Sequence, residues 1–321
     1  MRRRLLLGAL AAAPLAAPGA MAQDWPSRPI RIVVGFSPGG TADAVGRRLQ
    51  APLQAAFGQS VVVENRTGAS GAVAAVEVAR AAPDGHTLGV VVSTLASLPA
   101  MRPDTQFDPV RDFTPVVLVG QLPLLLVVHP SVPATDLAQL IALARRNPGR
   151  LNYASPGSGL AHHFAGEMLK LRAGLDIAHV PYRGAAPALA DVVSGQVQMT
   201  FAAPPAVAGF IQGGQVRPIA MTGAVRSQAM PEIPTVAESG LEGFDVTEWY
   251  GIVGPANLPP AVVGRLNQAI NASLQTPEQA AWLRQNAVDR RLTSAAEFGA
   301  FIRTEIDKLG RIAREARIVA D

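Results

Sequence analysis

Apolar positions along the first hundred residues alternate between two rhythms. "IRIVVGF" (30–36) is a near-continuous β-branched run, and Val45, Leu49, Leu53 and Phe57 then recur on one face of a helix. Pro52 inside that pattern predicts a kink or an early end. "VVVEN" (61–65) reads as the next strand, followed by a glycine loop and a helical stretch over Ala72–Ala81. Pro83-Asp84-Gly85 is a turn, and "TLGVVVS" (87–93) is a third strand. The order β-α-β-α-β is that of a parallel sheet covered by helices.

A second series starts near residue 115. "VVLVGQLPLLLVVH" supplies strands, and Asp136 to Arg146 is a helix that stops at Asn147-Pro148-Gly149. "LNYAS" (151–155) is a strand, then a Gly/Ser loop opens a helix carrying Phe164, Met168 and Leu171. "IAHVPY" (177–182) and "VQMTFA" (197–202) are strands around another helix, and "VRPIAMTG" (216–223) closes the set. The tail is helical: Val262, Val263, Leu266, Ile270 and Leu274 share a face. Thr276-Pro277-Glu278-Gln279 is a capped start with proline in the first turn, and Ser294 with Glu297 forms an S-x-x-E cap. The tail is expected to pack back on the first series, so the chain crosses between two lobes twice, near 120–126 and 240–250.

A length of 321 residues fits about two domains. The N-terminal "MRRRLLLGALAAAPLAAPGAMAQ" has a basic start, an apolar stretch and the small-x-small site Ala20-Met21-Ala22, which is the form of a secretory signal peptide over 1–22. Cleavage leaves Gln23 first and removes Arg2, Arg3 and Arg4, so a net charge of +4 becomes +1. The arginine pair leaves both the Sec and the twin-arginine routes open. No later run is long and apolar enough to span a membrane, since Gly120 and Pro123 break the best candidate. The chain has no cysteine, which excludes disulfides, thiolate metal sites, thiol nucleophiles and a lipidated cysteine. A Gram-negative periplasm is the expected compartment, with a dimeric secreted protein as the alternative.

Three strand ends carry candidate chemistry. In "FSPGGTAD" (36–43), Gly39 and Gly40 permit close approach and positive φ, and Thr41 is placed to cap the helix. Free N–H groups and the positive dipole end favour an anion there. No lysine follows the glycines, and their spacing is not G-x-G-x-x-G, so neither a P-loop nor a dinucleotide site fits. Asp43 has three readings: a cap, an amine contact or a water contact. The device recurs in "ASPGSGLAHH" (154–163), where Ser155, Ser158 and loop N–H groups are available. His162 and His163 are adjacent and point about 100° apart, which is wrong for a shared metal. Ser93-Thr94, with Ser97 nearby, is the third, and also reads as a hydroxyl-capped turn. Two facing helix starts suit a small di-acid, and ligands of open parallel sheets gather at such strand ends.

Few enzyme signatures stand out: there is no H-E-x-x-H and no cysteine nucleophile, and the five histidines are scattered. Ser155 or Ser158 beside His163 is the one nucleophile–base pairing that can be written for an exported hydrolase. Near-zero mature charge and few aromatics argue against nucleic acid.

Taken in order, "WPSRPIRIVVGFSPGGTAD", "GQSVVVENRTGASG", "AAPDGHTL", "LLVVHPSVPATDLAQLIALAR", "NPGRLNYASPGSG", "HVPYRGAAPALADVVSGQVQM" and "IPTVAESG" make the mature chain resemble the periplasmic substrate-binding proteins of tripartite tricarboxylate transporters, the Bordetella uptake gene family. The resemblance implies an α/β, two-lobed flytrap fold, each lobe a mostly parallel sheet flanked by helices: a leader over 1–22, lobe 1 over 23–123 and 246–321, and lobe 2 over 124–245. It implies no catalysis and no cofactor. It implies a small carboxylate ligand and delivery to inner-membrane permease subunits; a sensor kinase is the alternative partner, and a monomer is expected because a hinged binder needs free lobes. Its cleft is lined at positions matching Phe36, Ser37, Gly39, Gly40, Thr41 and Asp43; Ser93 and Thr94; Ser155, Gly157, Ser158, Gly159 and His163; and at Ala202. Tyr182, Arg183 and Gly184 are expected beside it, Arg183 either bonding the ligand or lying on the surface between lobes. Family members often carry hydroxyls where Ala42 stands and near Leu160, a serine where His162 stands, and an aspartate near Ala202. Their absence here predicts a more apolar pocket, for a ligand with an apolar or aromatic body and one carboxylate.

Overall fold

The structure, a computed structural model, describes residues 25–102, 104–182, 184–227 and 230–318. The expected leader, Gln23 and Arg183 lie outside the described residues.

In chain order the elements are β1 (Ile30–Val34), α1 (Thr41–Phe57), β2 (Val61–Asn65), a 3-10 turn (Ala69–Gly71), α2 (Ala72–Ala79), β3 (Thr87–Val91), α3 (Thr94–Met101) and β4 (Phe113–Pro123). Then come β5 (Leu125–Val128), α4 (Leu137–Arg146), β6 (Asn152–Ser155), α5 (Ala161–Ala173), β7 (Ala178–Pro181), α6 (Ala185–Val193), β8 (Met199–Ala202), α7 (Pro204–Gln212) and β9 (Arg217–Met221). The chain ends with β10 (Thr247–Pro255), α8 (Pro260–Leu274), α9 (Pro277–Gln285), β11 (Asp289–Arg290) and α10 (Ala295–Glu315).

Two mixed sheets result, ordered β11-β4-β10-β3-β1-β2 and β7-β6-β8-β5-β9. The parallel blocks are β2-β1-β3 and β7-β6-β8. The strands next to the crossovers enter antiparallel: β10 against β3 and β4, and β5 against β8 and β9. This is the two-lobed α/β fold. Leu124 alone separates β4 in one sheet from β5 in the other, and it is fully buried. Its N–H donates to Thr222 Oγ1 at 2.9 Å, Thr222 N–H donates back to Leu124 O at 2.8 Å, and Val246 N–H donates to Thr222 O at 3.0 Å. The two crossing segments therefore run side by side, bonded through main chain.

The tail packs on the first sheet: α8 against β4 and α1, and α10 against α3 and β4, with a further contact to α5 of the second lobe. One apolar cluster, which includes Leu95, Leu126, Tyr153, Trp249 and Phe298, runs through both lobes. The N-caps expected at Thr276 and Ser294 are both formed, the second as a full capping box with Glu297, and Asp136 caps α4 through Gln139 N–H.

Pro52 neither stops α1 nor shortens it; the helix runs on to Phe57 and ends at Gly58 in the left-handed region. A proline withholds the N–H that the carbonyl four residues earlier needs. Here that carbonyl, Arg48 O, accepts instead from the buried Gln279 Nε2 of α9 at 3.0 Å. Two helices had no counterpart in the sequence pattern. α3 reads as a capped turn because "TLASLPAM" is buried almost throughout and contains Pro99, so it shows no amphipathic period. α7 begins at Pro204-Pro205, a pair that reads as a breaker yet sits at the first turn, where proline is tolerated.

Candidate functional site

The loop from β1 to α1 leaves Ser37, Gly39 and Gly40 exposed. Gly39 has φ of +90°, which a side chain would strain. Gly35 is needed for another reason: a Cβ there would lie 2.8 Å from Gly71 Cα. Asp43, in the first turn of α1, braces this loop from within. One carboxyl oxygen accepts from Gly39 N–H and Arg47 Nε, each at 2.9 Å, and the other from Asn65 Nδ2 at 2.9 Å. Asn65 Nδ2 also donates to Phe36 O. Burial alone raises this carboxyl, but the bonds from Arg47, Gly39 and Asn65 outweigh it and hold the pKa at about 2. Thr41 does not cap the helix. Gly40 is the N-cap with no side-chain bond, and the Thr41 hydroxyl bonds the Tyr250 phenol of β10. The first-turn N–H groups of α1 have no acceptor within the helix and open toward the exposed glycines.

The second loop lies between β6 and α5. Gly157 and Gly159 have φ of +154° and +86°. Ser155 is fully buried; its Oγ lies 2.6 Å from His179 Nε2 and donates to Gly157 O at 3.0 Å. His179 is sandwiched between Tyr153, at 4.9 Å between centroids, and His163, at 3.9 Å and 12° between planes. The Tyr153 phenol donates to Glu167 at 2.8 Å. Burial and the Glu167 charge raise this phenol far above its ordinary range. This column of rings holds α5 to β6, and Gly166 lets it: a Cβ there would fall 2.2 Å from the Tyr153 ring. Ser155 thus pairs with His179 rather than with His163, and that pair is structural, because the Ser155 hydroxyl is closed to any substrate. Gly159 N–H approaches His163 Nδ1 at 3.3 Å, and Ser158 is half-buried in the turn. Burial brings His162 down to about 4, so it is neutral at physiological pH. Among the described residues no group of three or more acids and histidines is placed to hold a metal.

The third position joins the other two. Ser93 and Thr94 open α3 and are buried. Ser93 N–H donates at 2.9 Å to Glu248 Oε1 of β10, and Ala161 N–H, at the start of α5, also donates to the Glu248 carboxyl. Ser97 Oγ donates to Gly159 O at 2.8 Å, tying α3 to the second loop. Glu248 and Tyr250 are two apart on one strand and so project from the same face. That face gathers the starts of α1, α3 and α5 from both lobes. Sequence reading had found the three loops. It had missed the floor, Glu248 and Tyr250, and the braces Asn65 and His179.

Tyr182 lies beside the second loop, its N–H donating to Ser155 O, but its hydroxyl is turned to Asp191 of α6 at 2.5 Å. Burial and that bond raise the phenol to about 12. Ala202, ending β8, is buried in the apolar cluster of the second lobe, and Ala203 packs against the cluster of the first lobe that contains Ala42 and Tyr250. A cavity of about 350 Å³ lies apart from these loops, lined by Arg226, Leu283, Arg284 and Val288 among others.

The chain matches the family described as "Tripartite tricarboxylate transporter family receptor" over residues 45–318. It is 33% identical to protein BugT of Bordetella pertussis, over 95% of this chain and 94% of BugT. It is similar to the solved structure of Rpa4515 of R. palustris with adipate: TM-score 0.83, 34% identity, 93% of this chain and 100% of that one. It is also similar to MatC (Rpa3494) of Rhodopseudomonas palustris with bound malate: TM-score 0.78, 29% identity, 90% of this chain and 99% of that one.

Proposed function

Because this chain belongs to the tripartite tricarboxylate transporter receptor family, a family of periplasmic solute-binding proteins and not of enzymes, we propose that it captures a small carboxylate between its lobes for delivery to a tripartite permease of the inner membrane. The observation that carries this reading is the convergence of three loop-and-helix starts, drawn from both lobes, on one face of β10. Helix starts present fixed N–H donors to an anion and need no counter-charge. Such neutral capture suits a ligand that must later be released.

Lobe 1 comprises 23–123 and 246–321, and lobe 2 comprises 124–245, with residues 1–22 as a cleaved leader that sends the chain to a Gram-negative periplasm. No helix among the described residues is long and apolar enough to cross a membrane. The lobes move about the paired crossings at Leu124, Thr222 and Val246. A ligand that contacts both lobes favours the closed arrangement by its differential affinity for it.

The ligand is a carboxylate with an apolar or aromatic body. Ala202 and Ala203 support this, since they form an apolar wall from lobe 2 to the lobe 1 cluster. The adipate bound to Rpa4515 is likewise an acid with an apolar chain. The test is a thermal-shift screen of residues 23–321, unfolded and refolded to strip carried-over ligand. The panel holds aliphatic di-acids, citrate, acidic amino acids, and aliphatic and aromatic mono-acids. An acid at ~100 times its Kd stabilises by roughly 2.7 kcal/mol. The reading predicts a shift with acids of apolar body, weakened at least tenfold in affinity by Ala202→Asp. No shift with any acid overturns the carboxylate reading. Unchanged affinity in Ala202→Asp overturns the apolar wall.

A further inference from the structure

Glu248 is 4% exposed, and the groups around its carboxyl are neutral donors: Ser93 N–H at 2.9 Å, the Ser93 hydroxyl, Trp249 N–H at 3.2 Å, and Ala161 N–H. Ser93 immediately precedes α3, and Ala161 is the first residue of α5. Two helix starts from opposite lobes therefore meet on one side chain. Among the described residues no lysine, arginine or histidine pairs with it. Burial is the largest influence and raises its carboxyl above the ordinary value; the bonds from the Ser93 hydroxyl and N–H, Trp249 N–H and Ala161 N–H oppose that shift without reversing it. A titratable neighbour on the same face is the Tyr250 phenol, which burial and the Glu248 charge raise far above its ordinary range, so it stays neutral.

A buried acid without a cation is retained at a cost in stability. Its donors explain how it is tolerated, not why it stands in a strand where a neutral residue would pack. The position itself supplies a reason. Two facing helix starts form a receptor for a carboxylate, and here the chain's own carboxylate already fills it. Across the same face of β10 lies the start of α1, where Ser37, Gly39 and Gly40 are exposed.

We propose that Glu248 is a built-in anion occupying the carboxylate position between the starts of α3 and α5, so that the cleft accepts acids with one carboxylate, held at the Phe36–Thr41 loop, and rejects acids with a second carboxylate at the far end. Glu248 is thus a specificity-determining residue. A second ligand carboxylate would meet a like charge in a water-poor site, with its donors already taken. This rests on the carboxylate reading above and sharpens it to mono-acids.

The experiment is calorimetric titration of refolded residues 23–321 at pH 7.5 with matched pairs, hexanoate against adipate and benzoate against terephthalate. Each pair shares a body and differs by one carboxylate. The native protein is expected to bind the better mono-acid at least tenfold more tightly than its di-acid. Glu248→Gln keeps an acceptor for the amides and removes the charge, so the di-acid should gain at least tenfold relative to the mono-acid. Glu248→Asp, which keeps the charge, should retain the native preference. Equal or tighter di-acid binding by the native protein overturns the proposal, whether or not the variants fold. So does an unchanged ratio in Glu248→Gln, while the carboxylate reading stands. Failure of all four acids to bind removes the carboxylate reading and this one with it.

Discussion

Asp43 shows how one side chain serves the site without facing a ligand. It anchors Gly39 N–H, Asn65 and Arg47 together, so the loop that offers donors is held in shape before any ligand arrives. Its pKa of about 2 lies below the ordinary value, so the stabilisation it gives is complete above that ordinary value and is lost as pH falls toward 2. The carboxyl is 3% exposed but Arg47 is half-exposed, and solvent screening keeps the contribution on the order of 1–2 kcal/mol. Asp43→Asn should therefore lower the melting temperature at pH 7, and its melting curve should lose the acid-dependent part of the native profile between pH 5 and pH 2. Parallel profiles for the two proteins would show that Asp43 carries no such linkage. The residue scale also sets the limit of sequence reading. The glycines and hydroxyls of 36–43 and 154–163 stood out because strand-end loops with small residues have a local signature. Thr41 read as a cap because its partner, Tyr250, is far along the chain. Glu248 in "TEWYGIV" had no local signal, since its meaning comes from Ser93, 155 residues away.

At the scale of elements, most of the alternation was legible from period and caps. The exceptions have physical causes. A helix buried almost throughout, like α3, has no polar face to give it a period. A helix such as α7 can begin on a proline pair that looks like a stop. α1 survives Pro52 because a partner helix supplies the missing donor. This makes a double-mutant prediction. Gln279→Ala leaves Arg48 O without its donor and should cost about 1–2 kcal/mol. In a Pro52→Ala background the restored N–H satisfies the same carbonyl, so the second change should cost much less. Denaturant unfolding of the four proteins measures the coupling. Additive losses would mean that the Gln279 contact is incidental to the proline.

For the whole molecule, the arrangement of the two sheets follows from the crossings. Both lobes feed antiparallel strands into the boundary, and β10 carries the floor on which the α1, α3 and α5 starts converge. The alternating pattern predicted two lobes and two crossings. It could not show that the crossings bond each other, or that one apolar cluster passes through both lobes by way of α3, α5 and α10, because those contacts join segments far apart in sequence. The central claim is that a carboxylate is received by main-chain donors of the β1–α1 loop and enclosed by the loop of the other lobe. It is tested most directly by a crystal structure of refolded residues 23–321 with the acid that gives the largest thermal shift. The account predicts carboxylate oxygens within about 3.2 Å of N–H groups in the Phe36–Asp43 loop, the ligand body against Ala202 and Ala203, and the 155–160 loop closed over it. An acid held by an arginine elsewhere, such as in the cavity lined by Arg226 and Arg284, with the loops empty, would contradict it.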